Sequence, residues 1–385
     1  MKITVLGPAH PYRGGLALIM QTMARIFKER GNEVDVVTFK RQYPEFLFPG
    51  KSQTVTTPAP EGMSIVRWID TVNPLNWIRI GRRLKRLRPD FILMKYWTPF
   101  MAPCFGTIAR IARSNGHTKV LCQIDNVEPH EHHIIDRPCN RYYLRSVDGF
   151  VYMSEQVNRE LKAYTSATAI YSPHPMFENF GDRRDRAESC RRLGLDAGCR
   201  YLMFFGLVRE YKGLDMLLDA WGKLRNAGRI PDDVKLIIAG EFYALKDPYL
   251  AQMARLNIEE DILLFDEFIA DEQVGDFFSI ADAVVLPYRT ATQSGVTQIA
   301  YKFDVPMVVT SVGGLPEIVT DGKAGIVCQA DVDSIAHAVE RLFDREQIEH
   351  FRRGVVEEKS RFSWEQMCNR LEELYKMVGA EQTSK

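Results

Sequence analysis

The sequence predicts an α/β protein of two domains, each a parallel sheet covered by helices. Three observations predict it. The chain has 385 residues, too many for one typical core. Short apolar runs alternate along it with longer amphipathic segments. The alternation pauses once, at AIYSPHPMFENFGDRR (169–184), where two prolines, a glycine and a charge cluster read as a linker, and then restarts.

KITVLG (2–7) reads as the first strand. LALIMQTMARIFKERG (16–31) has helical spacing at Leu16, Ile19, Met20, Met23, Ile26 and Phe27 and stops at Gly31. EVDVVTF (33–39), DFILMKY (90–96), KVLCQI (119–124) and GFVYMS (149–154) continue the strands of the first domain. Past the linker come RYLMFFG (200–206), VKLIIAG (234–240), DILLFDEF (261–268), ADAVVLPY (281–288), PMVVTS (306–311) and GIVC (325–328). The last segment, SWEQMCNRLEELYKMV (363–378), is helical. Trp364, Met367, Leu371, Leu374 and Val378 form an apolar stripe that must pack against something.

Lys+Arg and Asp+Glu are both 50, so the net charge is zero. That disfavours a whole-protein nucleic-acid footprint, which leaves a basic excess. The seven cysteines, Cys104, Cys122, Cys139, Cys190, Cys199, Cys328 and Cys368, form no CxxC pair and read as thiols in a reducing cytosol. The N-terminus lacks the apolar region and cleavage site of a signal peptide, and no apolar run reaches the ~18–20 residues of a membrane span. A cytoplasmic protein is expected.

In open α/β sheets, ligands sit beyond the carboxyl ends of the strands, so the loops there carry the chemistry. GPAHPYRGGL (7–16) places Gly14 and Gly15 before a helix, where the backbone can approach a ligand. Gly7 and Gly14 are seven apart, which is not the dinucleotide glycine fingerprint. In FFGLVREYKGLDMLLDA (204–220), Gly206 ends a strand and Lys212-Gly213 opens a helix. Arg209 and Lys212 lie in the loop between, and two cations at such a junction suit a diphosphate. The loop TATQSGVTQIAY (290–301) has no charged side chain. Ser294 suits a helix N-cap, and the N–H groups of the first turn can bind an anion by backbone alone. Taken singly, each loop equally suits a plain turn, solvated cations or an ordinary capped helix. Further on, SVGGLPEIVTDGKAG (311–325) puts Glu317 early on a helix near the same sheet edge.

On the other domain, DNVEPHEHHIIDRP (125–138) follows a strand end. Asp125, Asn126, His130 and Glu131 are candidates to orient an acceptor hydroxyl. The cluster HEHH matches no metal-ligand spacing, so no metal is expected. PLNWIRIGRRLKRLR (74–88) sets Trp77, Ile80, Leu84 and Leu87 on one helical face and adds Arg79, Arg82, Arg83, Lys85, Arg86 and Arg88 without an anion. A helix packed on the sheet with a solvated basic face accounts for it. Docking of residues 77–88 on an anionic membrane is the sharper alternative.

FFGLVREYKGLDMLLDA, the Gly240-Glu241 pair of IIAGE, IADAVVLPY, PMVVTSVGGLPEIV, DGKAGIV and the terminal FSWEQ…LY, in this order, resemble the retaining glycosyltransferases of family 4. The resemblance implies the GT-B fold: two Rossmann-like βα domains facing each other across a cleft. It implies an acceptor-binding domain at 1–172 and a nucleotide-sugar domain at 173–362, with helix 363–380 packing back on the first. The expected donor is a UDP- or GDP-sugar and the acceptor a glycan or lipid-linked glycan, with retention of configuration and no cofactor. Arg209, Lys212 and His130 are the expected catalytic residues. The expected donor-binding set is Gly14, Gly15, Gly206, Glu241, Ser294, Gly295, Val296, Gln298 and Glu317. Most members carry two glutamates in this region. They would fall at Ala291 and Ile299, neither of which is acidic, leaving Gln293 and Gln298 as neutral substitutes. A non-catalytic sugar-nucleotide-binding subunit and a nucleotide-sugar epimerase are the alternatives.

Overall fold

The computed structural model describes residues 1–12, 14–44, 54, 59–60, 62–128, 134–243, 245–291 and 293–383. It divides into two compact units. One joins Met1–Pro173 to Trp364–Lys385, and the other is His174–Ser363.

The first unit has seven parallel strands: β1 (Lys2–Leu6), β2 (Glu33–Arg41), β3 (Ser64–Asp70), β4 (Phe91–Tyr96), β5 (Lys119–Ile124), β6 (Gly149–Tyr152) and β7 (Thr168–Tyr171). Their order is β3-β2-β1-β4-β5-β6-β7, so the winding reverses between β1 and β4. The helices are α1 (Gly15–Glu29), α2 (Pro74–Leu87), α3 (Ala102–Arg113), α4 (Asp136–Leu144) and α5 (Glu155–Lys162). Strand side chains alternate between faces, and here both faces are covered. From β5, Val120 and Cys122 enter a core with Leu84 of α2, Phe105 and Ile108 of α3, Tyr143 of α4 and Leu161 of α5. Leu121 points to the opposite core, against Met23 and Phe27 of α1.

That second core is completed from the far end of the chain. The last helix, Trp364–Thr383, brings Trp364, Met367, Leu371, Leu374 and Val378 against Leu93, Leu121 and Val151. It crosses β6 at Gly149, where a Cβ would lie 2.8 Å from Leu374 and 2.9 Å from Val378. Any larger residue there would push the helix off.

The second unit has six parallel strands: β8 (Arg200–Phe205), β9 (Val234–Ala239), β10 (Ile262–Phe265), β11 (Ala281–Leu286), β12 (Met307–Thr310) and β13 (Gly325–Cys328). Their order is β10-β9-β8-β11-β12-β13, which reverses between β8 and β11. Helices α6 (Arg186–Leu193), α7 (Leu214–Asn226), α8 (Asp247–Leu256), α9 (Asp271–Ile280), α10 (Gly295–Lys302), α11 (Leu315–Ile318), α12 (Val332–Arg341) and α13 (Arg345–Glu358) cover it. The last helix of the chain is then α14. Side-chain caps start several of them: Asp185, Asp331 and Asp344 accept from the N–H groups of Glu188, Ser334 and Glu346. Among the described residues, no helix is long and apolar enough to cross a membrane.

Two strands escape the sequence reading. SIVRWID forms β3 and TAIY forms β7, the two edges of the first sheet. Edge strands are covered on fewer sides and so carry polar residues. Most of β3 and all of β7 are only partly buried or exposed, so neither shows an apolar run.

Candidate active site

The reversal between β8 and β11 opens a crevice between the loops that follow them. Three glycines shape it. Gly206 ends β8 at φ 95°, a left-handed conformation that costs other residues strain. Gly240 ends β9 at φ 147°, and a Cβ there would lie 2.3 Å from the Gly206 carbonyl oxygen. Gly213, at φ 67°, precedes α7, and its Cβ would lie 2.1 Å from the Pro287 carbonyl oxygen. The two loops therefore touch backbone to backbone. Arg289 fastens them. Its amide donates to the Tyr211 carbonyl at 2.7 Å, and its guanidinium donates to the Glu210 carbonyl at 3.0 Å and to Asp215 Oδ1 at 2.7 Å.

Beyond this junction lies a pocket of about 290 Å³ lined by Phe177, Tyr211, Lys212, Tyr288, Gln293, Ser294, Gly295, Val296 and Ile299. Lys212 closes the 3₁₀ turn Glu210–Lys212 and is 9 % exposed. Its ammonium lies close to Gly206: a Cβ on that residue would be 3.1 Å from Nζ. The face of Tyr288 sits 5.6 Å from it. No carboxylate pairs with Lys212 among the described residues. Burial, helped by the positive charge of Arg209, pulls its pKa down to about 8. Arg209 is exposed, with its guanidinium 5.0 Å from the centre of the Tyr243 ring and likewise no described carboxylate partner.

The opposite wall is the start of α10. Ser294 occupies the N-cap position, yet its hydroxyl caps nothing. It meets the buried Tyr288 hydroxyl at 3.3 Å instead. The expectation that Ser294 caps the helix through its side chain is thus corrected: the competing hydroxyl takes the bond. The consequence favours a ligand, because the first N–H groups of α10 are left without that acceptor. A single buried cation facing open helix amides is an arrangement for an anion.

Of the other expected donor residues, Gln298 departs most. It is fully buried, its amide donates only weakly to Thr297 Oγ1 at 3.4 Å, and its carbonyl oxygen has no described partner. One residue along the helix from the pocket wall, it points into the core. Gln293, the other neutral substitute, lines the pocket. Ile299, where the resemblance places a carboxylate, lines it too and presents methyl groups, while Ala291 packs against the core. Glu241 follows β9, and its carbonyl accepts from the Val208 amide at 2.9 Å, which holds the loop that carries Arg209. Glu317 sits on α11 after β12, outside the pocket lining, where its carbonyl receives Arg361 at 3.0 Å.

In the first unit, Gly14 caps α1 at φ 100° and Gly15 begins it. A Cβ on either would meet nothing within 4 Å, so packing does not require glycine there. Asp125 is held rather than free. Lys95, fully buried on β4, pairs with it at 2.5 Å. Asn126 beside it is half-buried. Asn140 fixes the loop by donating to the Val127 carbonyl at 2.6 Å. His130 and Glu131 lie outside the described residues. Among the described residues, no three His, Cys, Asp or Glu side chains converge on one point.

The sequence reading passed over Phe177, Tyr211 and Tyr288, which give the pocket its aromatic walls, and Lys95. Phe177 belongs to the segment read as linker, and it packs over Gly295, where a Cβ would lie 3.3 Å from its ring. Lys95 carried a usable signal: a lone cation inside the apolar run FILMKY, near the end of a strand at the winding reversal.

Comparison with known proteins gives a consistent result. Residues 199–345 match the family model described as glycosyl transferases group 1, and residues 14–169 match the glycosyl transferase 4-like domain. D-inositol 3-phosphate glycosyltransferase of Corynebacterium diphtheriae is 28 % identical over 226 residues, 56 % of this chain and 52 % of that protein. A second protein of that name, from Catenulispora acidiphila, is 30 % identical over 190 residues, covering 48 % and 44 %. The chain spans about half the length of the curated relatives it matches, or less. Among solved structures, sucrose-phosphate synthase from Thermosynechococcus elongatus superposes with a TM-score of 0.70 at 15 % identity, over 99 % of this chain and 100 % of that one. Anabaena HepE in complex with UDP also gives 0.70, at 16 % identity over the whole of both chains. These likenesses place the fold as GT-B.

Proposed function

This chain belongs to the group 1 glycosyltransferases, and we propose that it moves a sugar from a nucleoside diphosphate sugar to a glycan or lipid-linked glycan. The observation that carries the donor side is the pocket of the second unit: buried Lys212, with no ion pair among the described residues, facing the open amides of Gly295 and Val296. The relatives are named glycosyltransferases, and HepE has been solved with UDP and with UDP-glucose. Both support a nucleotide-sugar donor, and UDP- or GDP-sugars are the first to try.

In the proposed reaction the bond from the anomeric carbon to the diphosphate oxygen breaks as the acceptor oxygen bonds to the same face of that carbon. The acceptor proton passes to the departing phosphate oxygen, so configuration is retained without a protein nucleophile. Charge grows on the diphosphate during this step. Lys212, Arg209 and the α10 amides are fixed before it grows, and they need no reorganisation to stabilise it. Phe177 and Tyr211 offer flat apolar surface for the nucleoside. Ile299 removes the carboxylate that most relatives present, so Gln293 is the side chain assigned to donor hydroxyls. Asp125, held by Lys95, is assigned to the acceptor side.

A role in cell-surface polysaccharide or glycolipid synthesis follows from a lipid-linked acceptor and from α2. Arg79, Arg82, Arg83, Lys85 and Arg86 are exposed on α2 and Arg88 follows it, with no ion pair to any of them among the described residues. Leu75 at the start of the helix is 74 % exposed. This pattern suits peripheral docking on an anionic bilayer from the cytoplasmic side.

The test is a thermal-shift and turnover panel with UDP, GDP, ADP and their sugars. Selective stabilisation by one base, with transfer that Lys212→Ala slows by roughly 10²–10³, is the expected result. Binding without transfer to any acceptor or to water would favour a non-catalytic subunit. Release of an epimer in the absence of acceptor would favour an epimerase.

A further inference from the structure

We infer that the first unit carries a second anion site, a pocket between α3 and α4 that takes a phosphate monoester. The pocket measures about 460 Å³ and is lined by Arg110, Arg137, Pro138, Arg141, Tyr142 and Arg145. Nothing in the transfer chemistry uses it, and it does not depend on that reading.

Four arginines share one concavity, and none forms an ion pair with a carboxylate among the described residues. Arg137, Arg141 and Arg145 recur every four residues and so share one face of α4 and its C-cap. Like charges at this spacing weaken a helix, and among the described residues no salt bridge engages these three. Some helical arginines elsewhere are paired within their own helix, as in Arg25–Glu29 and Arg192–Glu188. An anion drawn from outside would remove the repulsion.

The floor of the pocket is set in advance. Gly106 of α3 lets the Tyr142 ring lie flat on the helix, since a Cβ there would be 2.7 Å from the ring carbons. The Tyr142 hydroxyl is 3.0 Å from Thr107 Oγ1. Arg110 lies over the ring at 3.9 Å and donates to the carbonyls of Gly106 at 3.2 Å and of Tyr142 at 2.5 Å. Its remaining N–H groups are held ready for a ligand. Several guanidinium forks lining one concavity suit a terminal phosphate, which offers three oxygens and up to two charges. A phosphodiester offers fewer of both.

The monoester can belong to a soluble phosphorylated molecule or to a lipid headgroup. Ile134 and Ile135, 98 % and 67 % exposed just before α4, give the lipid source an apolar contact. The experiment separates the two. A Lys212→Ala background silences the donor pocket. Inorganic phosphate is titrated into that protein calorimetrically, and co-sedimentation is measured with phosphatidylcholine vesicles with and without phosphatidic acid. Arg137→Gln/Arg141→Gln/Arg145→Gln is compared with Arg82→Gln/Arg86→Gln on α2. All five side chains are exposed, and a melting curve checks folding. The expected result is phosphate binding that the α4 variant weakens at least ~10-fold and the α2 variant leaves alone. Loss of phosphatidic acid vesicle binding in the α4 variant, at about fivefold per arginine and on top of any loss in the α2 variant, assigns the monoester to a lipid. Vesicle binding unchanged in that variant, with phosphate binding lost, assigns it to a soluble ester. Phosphate and vesicle binding both unaffected by the α4 variant, or both reduced equally by the α2 variant, would overturn the site.

Discussion

Each unit holds a group of cations without carboxylate partners among the described residues, and the two are kept in opposite ways. Lys212 is buried against backbone and aromatic rings, and its pKa has fallen to about 8. The arginines of α4 stand in water. Burial makes a charge strong toward a ligand and sensitive to pH, because little solvent screens it and its charged form is disfavoured. Exposure makes a charge permanent, weak and sensitive to salt. The first arrangement suits a transition state and the second suits capture.

Lys212→Ala tests the contrast hardest. Removing the buried charge should lower the transfer rate by roughly 10²–10³, measured as initial rate at saturating donor. A loss under about threefold would mean that the buried cation is no stronger than an exposed one. Gly213→Ala comes next. Its φ of 67° and the overlap with the Pro287 carbonyl should cost about 1–3 kcal/mol in chemical denaturation, with nucleotide binding weakened as the two loops separate.

The pH dependence follows in size. Bound diphosphate favours the charged ammonium, so affinity should hold below pH 8 and fall roughly tenfold between pH 7 and 9. Calorimetry in Lys212→Ala should show that fall abolished. Stability should move the other way. The folded pKa of about 8 lies below the ordinary lysine value of 10.5, so the unfolded chain holds more protons between them. The burial penalty is full below about pH 8 and is relieved as pH rises toward 10.5. The smallest effect belongs to α4. Arg141→Gln should raise stability by about 0.2–0.5 kcal/mol at low salt, and by less at high salt, in a melting experiment.

The legibility of the molecule divides along similar lines. Every strand of the second sheet announces itself as an apolar run; even at the edge, Leu263, Leu264 and Phe265 of β10 pack against the core while only partly buried. In the first sheet β3 and β7 stay silent, since an edge needs no continuous apolar stretch. Within the pocket, Lys212, Ser294, Gly295 and Val296 could be picked out because glycines and a cation at strand ends break the pattern around them. Tyr288 could not, because a tyrosine ending ADAVVLPY looks like core. Whether Gln298 or its neighbour Ile299 faces the pocket depends on the rotation of one short helix, which no spacing rule resolves to a single residue. Lys95 stands out as a lone cation in FILMKY, but its pairing does not: its partner, Asp125, is brought alongside only when β4 pairs with β5.

Helix α14 ties the first unit to the calendar of synthesis. The second unit is one continuous segment, so all of its core exists once residue 363 has been made. The first unit begins earlier and finishes later. Until Leu374 and Val378 emerge, Gly149 and the part of that sheet face that α1 does not cover stand open. The domain made first is therefore completed last, and through that interval Leu93, Leu121 and Val151 form an open apolar surface that chaperones can bind.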